Sequence, residues 1–146
     1  MQELSWNDFL EMFRFLFEEM GFKKVAEDLW NWEHRSILAE SPEFRIRFLE
    51  NKGDLCVEIA PLTEPENWIR IEQFRDFLTN VPRVDKQDML ALAAFIKSKY
   101  HRIARALAGE EYVSRTKPAY ERYLWSQSKQ VLADRPPPDP PGFSRW

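Results

Sequence analysis

Apolar and charged residues alternate most sharply between Phe44 and Ile59. Phe44, Ile46 and Phe48 are interleaved with Arg45 and Arg47, and Leu55, Val57 and Ile59 enclose Cys56 and Glu58. A period of two marks strands with one buried face. Between the runs lies Asn51-Lys52-Gly53-Asp54, where Gly53 can supply the positive φ of a tight hairpin turn. Pairing Asn51 with Asp54 sets Phe48 opposite Val57 and Ile46 opposite Ile59. The same register sets Arg47 opposite Glu58, a favourable cross-strand charge pair. Arg45, Arg47, Leu49, Cys56 and Glu58 then share the outer face, which is mostly polar and is left for solvent or a partner.

The spacing changes to helical upstream. Ser5, with Asp8 three residues on, reads as a helix N-cap. Trp6, Phe9, Leu10, Met12, Phe13, Leu16, Phe17 and Met20 follow on one face of a single predicted helix, which Gly21 ends. Phe15 falls on the acidic face of that helix, either covered by another part of the chain or exposed for a partner. From Phe22 to Arg35 the pattern predicts a turn or short helix over Val25, Ala26, Leu29 and Trp30. A strand from about Trp32 to Glu40 comes next, and Ser41-Pro42 breaks it.

Downstream, Pro61 and Pro65 bracket a polar loop. Trp68 to Ile71 reads as a short edge strand before a helix over Glu72–Leu78, and one helix over residues 66–78 is the alternative. Val81-Pro82 stops either. Asp85, with Asp88 at N3, is expected to cap the longest helix. Its stripe is Met89, Leu92, Ala93, Ile96, Tyr100, Ile103, Ala104 and Leu107, with Gly109 as terminator. A last helix is expected from about Pro118, or from somewhat earlier, to Ala133, burying Tyr120, Tyr123, Leu124 and Val131. Arg135-Pro-Pro-Pro-Asp-Pro-Pro-Gly142 favours an extended, polyproline-II tail, with Phe143 and Trp146 placed to pin it on the domain or on a second subunit.

These elements predict an α+β fold. An antiparallel three- or four-stranded meander packs against an N-terminal helix and a C-terminal helical pair. Residues 1–133 form one domain and 134–146 a Pro-rich extended tail.

Composition adjusts this picture in three ways. The 146 residues are 44% hydrophobic and 14% aromatic, enough for a substantial core. A single cysteine excludes an intramolecular disulfide, and no apolar run approaches a membrane span. With acidic residues and no basic leader at the start, the expected location is the cytoplasm. Charge is uneven: residues 1–82 hold 9 Lys and Arg against 17 Asp and Glu, a net of −8. Residues 83–146 hold 12 against 7, a net of +5. Either the halves attract one another, within the fold or across a homodimer, or each meets a different partner.

Catalytic chemistry finds little support. The chain has two histidines, His34 and His101, and four glycines. Neither metal-ligand spacing nor a nucleophile elbow or a glycine-rich phosphate cradle occurs. No cofactor or metal is expected, and Cys56 reads as a packing residue. Lys97, His101 and Arg105, with Arg102 beside them, form a basic stripe on the long helix. The acidic half argues against nucleic acid there. Six tryptophans are many for this length. Trp30, Trp32 and Trp68 stand near Arg35 and Arg70 in the reading of the sheet, and Trp and Arg are enriched at binding hot spots. Filling the core is the plainer role for such aromatics.

Three stretches carry a family likeness. They are Phe13-Arg-Phe-Leu-Phe-Glu-Glu-Met-Gly-Phe22, the meander from Ser41 to Ile59, and Trp68-Ile-Arg-Ile-Glu-Gln-Phe74. Over roughly residues 5–80 their arrangement resembles small bacterial α+β proteins of the polymorphic-toxin immunity type. The resemblance is one of pattern. It implies a non-enzymatic protein that binds a protein partner by surface complementarity, and it assigns no functional residue.

The expected function is therefore a protein-binding module, with Trp30, Trp32, Arg35, Arg45, Arg47, Glu58 and Trp68 as the candidate partner-binding residues. Homodimerisation through the sheet edge or the tail is compatible with it. The alternatives are a nucleic-acid-binding protein using the basic helix 85–108, through Lys97, His101, Arg102 and Arg105, or an enzyme without a recognisable motif.

Overall fold

The structure, a computed structural model, describes residues 5–31, 34–79 and 88–127, with the backbone alone at 29–31 and 127. Ser5 caps α1 (Trp6–Met12): its extended backbone lets the side-chain oxygen accept from the Asp8 N–H at 3.1 Å. The single N-terminal helix expected from the sequence is broken. Phe13 leaves helical geometry at φ −106°, ψ 10°, and α2 (Arg14–Glu18) follows. The break sets Phe9, Phe13 and Phe17 around one ring, Phe48, at centroid distances of 5.8, 5.3 and 6.4 Å. Gly21, at φ +80°, reverses the chain, and the Phe22 N–H donates to the Leu16 carbonyl.

Five antiparallel strands follow in sequence order: β1 (Lys23–Asn31), β2 (His34–Glu40), β3 (Phe44–Asn51), β4 (Asp54–Pro61) and β5 (Ile69–Arg70). The meander is borne out, with one strand more than expected. The turn or short helix expected over residues 22–31 is β1, paired with β2 from Lys23↔Glu40 to Asn31↔His34. Its register shifts between Lys24 and Ala26 and again between Leu29 and Asn31. Those irregularities destroy the period of two and leave a spacing that mimics a helix. The β3–β4 register is the one read from the sequence, with Asn51↔Asp54, Phe48↔Val57, Ile46↔Ile59 and Arg47↔Glu58. Both central turn residues, Lys52 (φ 51°) and Gly53 (φ 85°), are left-handed, as a twist-matched hairpin turn requires.

The edge strand at Ile69–Arg70 passes directly into α3 (Ile71–Thr79), which removes the alternative of one helix over 66–78. Next comes α4 (Met89–Leu107). Asp88, not Asp85, is its N-cap and accepts from the Ala91 N–H at 3.2 Å; Asp85 lies outside the described residues. The predicted stripe is buried, and Lys99 (φ −116°, ψ 18°) kinks the helix midway. Gly109 does not terminate it as a left-handed residue. Ala108 does so by turning extended (φ −69°, ψ 135°), and Gly109 opens α5 (Gly109–Glu111).

A π-helical turn, Tyr112–Thr116, then leads into α6 (Lys117–Gln127), which takes the earlier of the expected starts. The π turn lies just ahead of Pro118, which lacks the N–H for the Ser114 carbonyl and whose ring would crowd it. Tyr120 and Tyr123 are buried as expected, while Leu124 is 37% exposed rather than part of the core. Val131 and the tail lie outside the described residues.

The core occupies one side of the sheet. Phe44 meets Phe22 and Tyr100 at 5.2 and 5.5 Å. The Tyr100 hydroxyl donates to Glu43 at 3.1 Å, tying α4 to the β2–β3 turn, where Ser41 accepts from the Glu43 and Phe44 N–H groups. A second aromatic group joins Phe74 and Phe77 of α3 to Tyr120 and Tyr123 of α6. Asn67 donates to the Tyr112 hydroxyl, and Lys117 pairs with Glu64 at 2.8 Å, which fastens the C-terminal helices to the β4–β5 loop. Among the described residues no helix is long and apolar enough to cross a membrane.

Phe48 is fully buried with three rings on it. Phe48→Ala should therefore destabilise the fold by about 3–5 kcal/mol, seen as a lower urea midpoint with the slope unchanged. Gly53→Ala, forced to keep a left-handed backbone, should lose about 1–2 kcal/mol in the same measurement.

Candidate functional site

A strand that sends Phe44, Ile46 and Phe48 inward must send Arg45, Arg47 and Leu49 outward. Register then assembles the opposite face: Ala26 and Asp28 from β1, Ser36, Leu38 and Glu40 from β2, and Cys56 and Glu58 from β4. The ring contacts of the helices run to the inner face. The side chains of β2, β3 and β4 on the outer face are half-buried for the most part, and those of β1 are exposed.

Its centre is Trp68. The Arg47 guanidinium lies 4.3 Å from the indole centroid and that of Arg45 lies at 5.3 Å, both within cation–π range. Arg47 Nε also donates to Glu58 Oε1 at 2.5 Å, across the register that paired them. Arg45 is held harder. It donates to the Pro65 carbonyl at 2.6 Å and lies 3.6 Å from Glu66. Its Nε is 3.0 Å from Glu40 Oε1 but lacks the alignment of a hydrogen bond. Among the described residues the buried Trp68 indole N–H has no partner. Beside this cluster is a shallow cavity of about 230 Å³, floored by Leu38 and Leu49 and walled by Trp68 and Arg47 on one side and Asp28 on the other.

Arg45, Arg47, Glu58 and Trp68 are thus brought together. Arg35 is not. It sits on the side of Ile37 and Ala39, 3.4 Å from Glu50, by a separate cavity of about 300 Å³ near Trp6 and Leu10. The Trp30 side chain and all of Trp32 lie outside the described residues. The basic stripe does not act as one group either. Lys97 pairs with Glu19 at 3.7 Å and covers the half-buried Phe15 ring at 5.6 Å. His101 and Arg105 border a different cleft of about 390 Å³, with Glu43 and Leu62, and Arg102 is exposed.

The sequence reading missed Leu38, Glu40 and Glu66 as members of the outer face. Extending the alternation of β2 past Ile37 would have found the first two. Glu66 carries no such signal, because a loop brings it in.

Nucleophilic chemistry is weak on this face. Burial pushes the Cys56 thiol up to about 11, against a smaller opposing pull from Arg70. The whole of β3 lies between Cys56 and His34, so the two form no nucleophile–base pair. Among the described residues no cluster of three His, Cys, Asp or Glu could hold a metal.

Two outcomes follow for measurement. An Arg47→Ala, Glu58→Ala double-mutant cycle should give a favourable coupling of about 0.2–1 kcal/mol, smaller at high salt. Because the folded state holds the Cys56 proton more tightly than the unfolded chain, this thiol favours folding below pH 9 and ceases to as pH rises through about 11. Alkylation of the folded protein should accordingly be slow at pH 8 and accelerate well above pH 9, where a free thiol would already have levelled off. No family model matches this chain, and no curated protein or solved structure matches it.

Proposed function

We propose that this chain is a non-enzymatic protein-binding module of the immunity or antitoxin kind, and that its partner docks on the open face of the sheet. One observation carries the reading: Trp68 lies under Arg45 and Arg47 at the centre of a face floored by Leu38 and Leu49. Tryptophan and arginine are the residues that most often dominate binding energy at interfaces. Here both are held in place by neighbours, so less side-chain freedom is lost on association.

The partner's chemistry follows from charge. Arg45 and Arg47 are already met by Glu40, Glu66 and Glu58. The first 82 residues carry a net −8. Among the described residues the ion pairs Lys97–Glu19 and Lys117–Glu64 join the acidic half to the basic half. The remaining excess favours a partner with an apolar anchor ringed by Lys and Arg, drawn in by complementary potential.

Tagged protein purified from its native host at low salt should bring down a stoichiometric partner that salt releases. Leu49→Glu and Trp68→Ala chains, shown to be folded by circular dichroism, should lose it. Recovery of the same partner by both variants would reject the face as the docking surface.

A further inference from the structure

The floor of the open face is uneven, and strand register is the reason. Two cross-strand rows meet there: Asp28, Ser36 and Leu49 in one, and Ala26, Leu38 and Arg47 in the next. The small side chains of Ser36 and Ala26 stand diagonally between the large ones, which leaves the hollow of about 230 Å³. Small-molecule sites run to roughly 300–1,000 Å³. The hollow falls short of that range and suits one side chain of a docking protein. With strands about 4.8 Å apart, the Asp28 and Leu49 backbones face each other across it at about 10 Å.

The charges around the hollow do not balance. Arg47 is turned to Glu58, and Arg45 to Glu40, Glu66 and the Pro65 carbonyl. Both guanidinium groups also lie against the Trp68 ring. The carboxylates lining the hollow are less engaged. Lys24 pairs with Glu27 and Arg35 with Glu50, and among the described residues Asp28 has no ion pair. Glu66 keeps 85% of its side chain exposed. An entering anion would find cations that are already matched and would be repelled by Asp28 and Glu66, whereas an entering cation gains from both. A side chain that fits has an aliphatic stem for Leu38 and Leu49 and a cationic head for Asp28, a description met by lysine and arginine. The guanidinium groups on Trp68 repel a further cation from that ring and steer the head toward β1.

We propose that this hollow receives one Lys or Arg side chain of the docking partner, with its stem over Leu38 and Leu49 and its head at Asp28. The inference rests on the open face being the docking surface and names what the partner brings to it. Asp28 then selects for charge, and the gap over Ser36 and Ala26 selects for a long, unbranched stem.

The probe is Nα-acetylarginine amide, with Nα-acetylcitrulline amide as its uncharged counterpart, titrated at low salt into the isotope-labelled full chain. The arginine probe should shift the amide signals of Asp28, Ser36, Leu38 and Leu49 saturably. It should bind about 3–5-fold more tightly than the citrulline probe, the advantage of one exposed ion pair. Asp28→Asn should remove that advantage, and Ser36→Leu, which fills the hollow from the solvent side, should remove the binding. Glu27→Gln, one residue away on the other face of β1, should change neither. Circular dichroism checks that each variant is folded. No saturable shift at these signals, equal affinity for the two probes, or an advantage that survives Asp28→Asn would overturn the proposal. If the host partner is lost on Leu49→Glu yet held undiminished by Asp28→Lys and Ser36→Leu, this inference fails and the proposed function stands. If the arginine probe binds as described and no partner is recovered, the proposed function falls and the hollow keeps its ligand class.

Discussion

The packing of Phe9, Phe13 and Phe17 on Phe48 is the contact on which the rest of the structure depends. It fixes which side of β3 is inside. A one-residue slip would turn Phe48 to solvent and carry Arg47 into the core. The chain breaks between α1 and α2 at Phe13, the middle ring of the three. The turn at Lys52 and Gly53 and the Arg47–Glu58 pair then agree with a choice that burial has already made.

Where one interaction type dominated, the sequence was readable. The β3–β4 hairpin has a buried and a polar face, and its register could be named pair by pair. The buried stripe of α4 was equally legible, since nine of its residues turn to the core. What escaped was set by competition. β1 carries two register shifts and an exposed Val25, so its apolar residues follow no strand period. The start of α4 depended on backbone geometry at Asp88, with a second candidate cap, Asp85, within one turn of it in the sequence.

The candidate site divided along the same line. Arg45, Arg47 and Glu58 could be placed together because they share a strand face. Trp68 joined them only through the loop that carries Pro65 and Glu66 over the sheet, and Arg35 left them by a single step of the pleat. Tryptophans near arginines in the sequence were thus a weaker guide than side-chain parity.

The two rims of the sheet bear on how such a protein can be recognised. At one rim β1 falls out of step twice within nine residues, and Lys23, Lys24, Glu27 and Asp28 line it. At the other, β5 offers only two residues. A foreign strand therefore finds no continuous row of amides to zip onto. A partner on the proposed open face would then be read through side chains, one pocket at a time, rather than through a main chain that nearly any extended sequence could match. Single substitutions on such a face would alter its side-chain relief while the ladder beneath stays intact.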